Sequence, residues 1–294
     1  MPMTWLPFVL LIVIHAAHSM AMKPMTDRLP RIKALLAMYL VCSLCGLLFW
    51  ITFDGTLFTS RDLLVVGVGL GFLNFIVVQL YWAAYKINMS RTSLFLPLVS
   101  LFSATLLAIF LQEYEHLNLL AVTGFAIHLI AVWLFKVGQA QKNGGEEEEK
   151  YGRWLILTIA LIATQSLQLF LMKVVASDVP TTQYIPMIYL GCLMYFGITL
   201  LCHKKEAMPP KYKSAFWGLI PVIGVLTAGF TACVYWMFQK NDGIASVSFF
   251  ALSQTFVPAL VGWIFFKEGK GFSRIELAGF FCGVTAALLI IFSH

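Results

Sequence analysis

Ten apolar runs follow one another along the chain, at about 4–22, 32–53, 63–85, 92–111, 117–137, 154–175, 184–202, 214–238, 244–266 and 274–292. A helix rises about 1.5 Å per residue, so roughly 20 apolar residues cross a hydrocarbon core of about 30 Å. None of the runs holds an acidic or cationic side chain near its middle. That fits a solvent in which a central charge costs roughly 2.5–3.5 kcal/mol. The pattern predicts an all-α integral membrane protein with ten transmembrane helices. The first run has no basic residue before it and is followed by Lys23 and Arg28. A cleavable signal peptide shows the reverse flanks, so this run is read as the first helix.

One stretch breaks the rhythm. Gly138 to Gly152 contains Asn143-Gly144-Gly145 and the acidic run Glu146 to Glu149. It reads as a solvated linker, residues 141–152, between a first five-helix repeat (1–140) and a second (153–294).

The halves match when the chain is shifted on itself. Tyr81-Trp82-x-x-x-Lys86 recurs as Tyr235-Trp236-x-x-x-Lys240, a shift of 154. Ser93, Phe95, Phe110, Glu113 and Gly124 recur as Ser248, Phe250, Phe265, Glu268 and Gly279, each shifted by 155. Lys23 and Pro30 recur as Lys173 and Pro180, shifted by 150. An odd number of helices per copy means that the second copy enters the membrane upside down. Two inverted five-helix repeats are the usual plan of secondary transporters, whose substrate sites lie near mid-membrane.

Composition agrees with this solvent. Apolar residues make up 60% and charged residues 12%, where a soluble domain carries roughly a quarter charged. Mean hydropathy is +0.84, which excludes water as the main solvent of the surface. A net charge of +6 does not point to nucleic acid, because the basic residues lie between apolar runs rather than in one patch. Alternating ten helices places 17 of the 20 Lys and Arg on one side. The other side holds Arg61, Lys173 and Lys240. By the positive-inside rule the basic side is cytoplasmic, so both termini are expected outside it. The membrane expected is a bacterial cytoplasmic (inner) membrane. The six cysteines fall in or beside apolar runs, and Cys42-x-x-Cys45 has no second pair, so they read as packing residues.

In these features the chain resembles the drug/metabolite transporter superfamily, in its ten-helix EamA-like members. The resemblance rests on Ser93 to Pro97 through Gln112-Glu113 followed by Gly124, and on Ser248 through Lys267-Glu268 followed by Gly279. It implies a central cavity lined by the first, third and fourth helices of each half. The glycine usual before the acidic residue is here Gln112 or Lys267. The family usually keeps both termini in the cytoplasm, whereas the charges of this chain place them outside.

Candidate chemistry is polar and uncharged, plus histidine. His15 and His18 share one helical face, and a shift of 150 brings them onto Gln165 and Gln168. Polar groups set against lipid without partners are costly, so both pairs should point into the bundle, as interhelical bonds or as cavity lining. The third helix carries Asn74, Tyr81, Trp82 and Tyr85, and the eighth carries Thr231, Tyr235, Trp236 and Gln239. These aromatics form either an interfacial belt or the walls of a ligand site. Ser93, Ser100, Ser248 and Thr255 read mainly as close-packing hydroxyls. His128 reads as a bonded core histidine, and Pro97 as a bend. All carboxylates are placed in loops or at helix ends, so a central acidic group for exchanging a proton against a cationic drug is missing. No metal or cofactor is expected.

The substrate-binding residues expected are therefore His15, His18, Asn74, Tyr81, Trp82, Tyr85, Gln165, Gln168, Thr231, Tyr235 and Trp236. The expected function is a secondary transporter or facilitator that moves a small polar or amphipathic metabolite by alternating access. The partners are that small molecule and the lipid bilayer, not nucleic acid. The alternatives are an intramembrane enzyme using His15 and His18, or a lipid-headgroup flippase.

Overall fold

The computed structural model describes residues 6–111, 119–140, 145–202, 213–239, 257–258, 260–267 and 272–292. All regular structure among them is helical. The order is α1 (Leu6–Arg28), α2 (Arg31–Phe53), α3 (Ser60–Ile87), α4 (Met89–Phe95), α5 (Pro97–Leu111), α6 (Leu119–Ala140), α7 (Gly145–Val175), α8 (Thr181–Cys202), α9 (Lys213–Gln239) and α10 (Arg274–Phe292). Five stretches among the described residues are long and apolar enough to cross a membrane: Arg31–Phe53, Ser60–Ile87, Tyr151–Val175, Thr181–Cys202 and Gly218–Trp236. They suggest a membrane-embedded protein. Most of the ninth apolar run, 244–266, lies outside the described residues.

Local chemistry sets the helix ends. Pro30 takes extended backbone immediately before α2, and Pro180 precedes α8, where the missing proline N–H costs nothing. After α2 the chain turns through Gly55, whose φ of +69° is strained for any L side chain. The Trp50 indole donates to the Thr56 carbonyl at 3.0 Å and so closes that turn. Asn88 caps α4 by accepting from the Arg91 amide at 2.8 Å. At Pro97, where a bend is predicted, the regular helix is interrupted: it stops at Phe95 and restarts at Pro97. The acidic run Glu146 to Glu149, read as part of a solvated linker, lies in the first turns of α7. Acidic residues are favoured at that end of a helix dipole.

α3 is wound unusually. It opens with Ser60–Asp62, continues as an eight-residue π-helix over Leu63–Leu70, and becomes α-helical at Gly71–Ile87.

The chain forms two compact units. The first comprises Met1–Trp82 and Leu171–Asp242, the second Ala83–Phe170 and Gly243–His294. Each unit therefore takes helices from both sequence halves, and the divisions fall inside α3 and α7.

In the first unit α2 packs on α8 and α9, α1 packs on α9, and α8 packs on the π-helical stretch. Small residues let these backbones meet. A Cβ on Gly46 would lie 3.1 Å from Pro186, and one on Gly71 would lie 3.0 Å from Gly191. A Cβ on Gly191 would fall 1.7 Å from the Gly67 carbonyl oxygen, a position no side chain can take.

In the second unit α6 packs along α10, and α10 also meets α4 and α5. Phe95, Phe135 and Trp154 fill its core. At one end Arg91 forms an ion pair with Glu276, whose side chain is fully buried. The guanidinium lies over the Phe135 and Phe272 rings, 5.4 and 4.9 Å from their centroids. Glu276 also accepts from the Ser273 amide at 2.7 Å, while Ser273 accepts from the Glu276 amide at 3.2 Å. That exchange is a capping box at the start of α10.

Candidate functional site

Polar side chains in the first unit gather around two tyrosines. Tyr39 lies on α2 and Tyr189 on α8, a separation of 150 positions, the same shift that relates Lys23 to Lys173. Each is bonded to a polar residue of the third helix of its own sequence half. Asn74 Nδ2 donates to the Tyr39 hydroxyl at 3.2 Å. The Tyr189 hydroxyl lies 2.7 Å from Thr231 Oγ1 and donates to the Thr227 carbonyl at 3.0 Å. The two rings meet edge to face with centroids 5.7 Å apart. Phe196 packs on Tyr39 at 5.3 Å, and Phe75 packs on Phe196 at 4.8 Å. Both tyrosines are buried, while Asn74 and Thr231 are part-buried. Sequence reading picked out Asn74 and Thr231 but missed Tyr39 and Tyr189, although the repeat shift would have found them as a pair.

His15 and His18 also belong to the first unit. Their ring centroids are 6.2 Å apart, and His15 stacks edge-on against Phe230 of α9 at 4.3 Å. His15 is buried. His18 is more open, yet its Nδ1 atom is shut away from solvent and has no hydrogen-bond partner among the described residues.

Tyr235 and Gln239 are engaged at helix ends. The Tyr235 hydroxyl donates to the Val179 carbonyl at 2.8 Å, beyond the end of α7. Gln239 Nε2 donates to the same carbonyl at 2.7 Å, and its Oε1 accepts from the Thr181 amide, the first of α8, at 3.3 Å. These bonds satisfy backbone groups that a helix terminus leaves open. Tyr235 stacks face to face on Tyr184, with centroids 3.7 Å apart. Tyr81 and Trp82 are buried, whereas Trp236 is 42% exposed, as an aromatic belt residue would be.

The remaining candidates lie in the second unit. The Ser93 hydroxyl gives its one proton to the Met89 carbonyl at 2.9 Å, so the Tyr85 hydroxyl, 2.9 Å away, is the donor to Ser93. Gln165 and Gln168 are buried on α7, with Ser166 between them donating to Ile162 and Val99 carbonyls. His128 is a bonded core histidine: its Nε2 lies 2.8 Å from the Leu94 carbonyl. Glu113, Ser248, Thr255 and Glu268 lie outside the described residues.

Charge is sparse in both units. Among the described residues the buried charged side chains are Lys23 and Glu276. All six cysteines are free thiols. No group of three or more His, Cys, Asp or Glu among the described residues is placed to hold a metal. In the loop after α2, the Thr182 and Thr56 hydroxyls hold the Asp54 carboxyl below the usual carboxylate range.

No known family profile and no curated protein matches this sequence. A solved structure described only as "Crystal structure of protein" is similar in fold, with a TM-score of 0.64 at 15% identity. The match covers 97% of this chain and 95% of that one. At that identity the likeness concerns fold alone, and it extends over nearly the whole chain.

Proposed function

We propose that this chain is a secondary transporter or facilitator, moving a small polar or amphipathic metabolite across a membrane by alternating access. In this reading it crosses the membrane ten times as two inverted five-helix repeats, and works without a metal or cofactor. It belongs in a bacterial inner membrane with both termini outside the cytoplasm, and it is akin to the EamA-like drug/metabolite transporters.

The observation that carries the reading is the matched pair Tyr39–Asn74 and Tyr189–Thr231. Tyr39 and Tyr189, 150 positions apart, each bring a hydrogen-bonded hydroxyl to the interior of one compact unit. A protein that only filled a bilayer would gain little from such groups, since interhelical polar bonds average about 0.6 kcal/mol. Matching helix starts support the repeat: α2 begins at Arg31 and α8 at Thr181, 150 positions apart. The basic asymmetry of 17 to 3 supports the count of crossings.

Purified protein in vesicles, screened for uptake of labelled metabolites with and without pH and sodium gradients, tests the proposal. Uptake above protein-free vesicles is expected, with Tyr39→Phe or Tyr189→Phe lowering it about tenfold through loss of one hydroxyl contact. Vesicles that accumulate none of the metabolites under any gradient refute it.

A further inference from the structure

The turn between α7 and α8 and the first residues of α8 are held from two sides by different means. One side is fastened to α9. Gln239 Nε2 donates to the Val179 carbonyl at 2.7 Å, and the Tyr235 hydroxyl donates to it at 2.8 Å. Tyr184 stacks on Tyr235 beside them. Val179 is 3% exposed. A buried carbonyl stripped of its donors is costly, so this side stays fastened.

The other side meets the loop after α2. The Thr182 hydroxyl donates to Asp54 Oδ2 at 2.6 Å, and Gln183 Nε2 donates to Thr56 Oγ1 at 2.7 Å. Arg61 approaches Asp178 at 3.8 Å, with side chains 79% and 59% exposed. Thr56 is also open to water, and Asp54, Thr182 and Gln183 are half-exposed. Water replaces exposed bonds of this kind at little net cost. This is the side that can let go.

The pieces on either side of that join are each preformed. The loop rides on α2, whose Trp50 bonds Thr56 and packs on Phe58 with ring centroids 4.8 Å apart. The start of α8 goes with α9. Behind it, inside α8, stands Pro186. Proline has no N–H for the carbonyl four residues back, which is that of Thr182, so the first turn of α8 has a built-in bending point. Gly46 of α2 lies against that point, where a Cβ would come 3.1 Å from the proline nitrogen. Close packing there pins the two helices at the bend and leaves their ends joined only by the exposed bonds.

We propose that the join between the loop after α2 and the start of α8 is a releasable clasp, opening about Pro186 to admit a solute at this end of the first unit. The proposal rests on the transport reading and supplies it with a gate.

The test uses the full-length protein in vesicles, its six native cysteines replaced. Spin labels at Leu57 and Val174 report across the clasp, and labels at Val174 and Trp236 report on the fastened side. All three positions are exposed. The Leu57–Val174 pair is expected to show a short distance and a minor longer one. Asp54→Asn, which cannot accept from both hydroxyls, should enlarge the longer population about fivefold. Pro186→Ala, which restores a helix bond, should shrink it. The Val174–Trp236 pair should keep one distance throughout. A single Leu57–Val174 distance in every variant, or two distances between Val174 and Trp236, overturns the clasp. Uptake separates it from the reading beneath. A short reversible cross-linker joining cysteines placed at Thr56 and Gln183 should stop uptake until it is reduced. If uptake runs at full rate through the cross-linked protein, the clasp is wrong and transport stands. If the two label distances appear while no solute crosses in any form, the clasp stands and transport falls.

Discussion

Glu276 shows how much one carboxylate can organise. It neutralises Arg91, closes the capping box with Ser273, and sits where a Cβ on Gly138 would come within 2.4 Å of its Cγ. Removing one partner of a buried pair leaves the other charge uncompensated, which typically costs about 3–5 kcal/mol. Glu276→Gln is therefore expected to destabilise the protein by about that amount in chemical unfolding. Arg91→Met combined with Glu276→Leu should recover most of the loss; if the double variant is no more stable than the single, the penalty does not arise from an unpaired charge. The pair spans 185 positions, so no local pattern in the sequence joined Arg91 to Glu276. Only the Ser273-x-x-Glu276 capping box was legible, and that went unread. Asn74 and Thr231 were legible as polar residues in apolar runs. Their partners Tyr39 and Tyr189 were legible only as two tyrosines 150 positions apart, because a lone tyrosine among leucines looks like packing until its bond is seen.

At the scale of helices, hydropathy was a good guide. The runs predicted at 32–53 and 274–292 became Arg31–Phe53 and Arg274–Phe292. Hydropathy follows solvent, so it placed extents well but had no access to winding. The π-helical stretch Leu63–Leu70 is as apolar as its surroundings, and nothing in its composition separates it from ordinary α-helix. What fixes it is contact: Gly67 lies against Gly191, and the Tyr195 hydroxyl donates to the Val68 carbonyl at 3.1 Å. π-turns leave carbonyls poorly aligned for their own helix, and a tyrosine from α8 answers one of them. Gly191→Ala is expected to push α8 off this stretch, since its methyl would occupy the Gly67 oxygen. Overpacking commonly costs about 1–3 kcal/mol. The measurable outcome is a lower unfolding temperature for Gly191→Ala than for Gly197→Ala, whose Cβ meets nothing within 4 Å. Equal temperatures for the two would remove the special role of the contact.

For the whole molecule, the charge pattern makes the firmest prediction. Single cysteines placed at residues 143 and 292 of an otherwise cysteine-free chain should react differently in intact cells. The C-terminal site should be labelled by an impermeant reagent from outside, and the site near Glu146 should be protected. The reverse result would invert the orientation drawn from the 17-to-3 bias. In the sequence, matched residues such as Tyr81 and Tyr235 suggest two related halves. The compact units were not legible there, because nothing along a chain marks which distant helices will share a core.

Those units also dictate an order of assembly at the ribosome. The first unit needs Leu171–Asp242 to close, and the second needs Gly243–His294, so neither can be complete when the first 140 residues have been made. Helices α1 to α3 must wait, with the Gly67 face uncovered, until α8 and α9 emerge. A nascent chain stopped at residue 170 should therefore be degraded rapidly by membrane quality control. Supplying 145–294 as a separate polypeptide should rescue 1–140, because every contact of the first unit between halves then forms between two chains. Early helices kept waiting beside late ones make the pace of synthesis across the second half a determinant of yield.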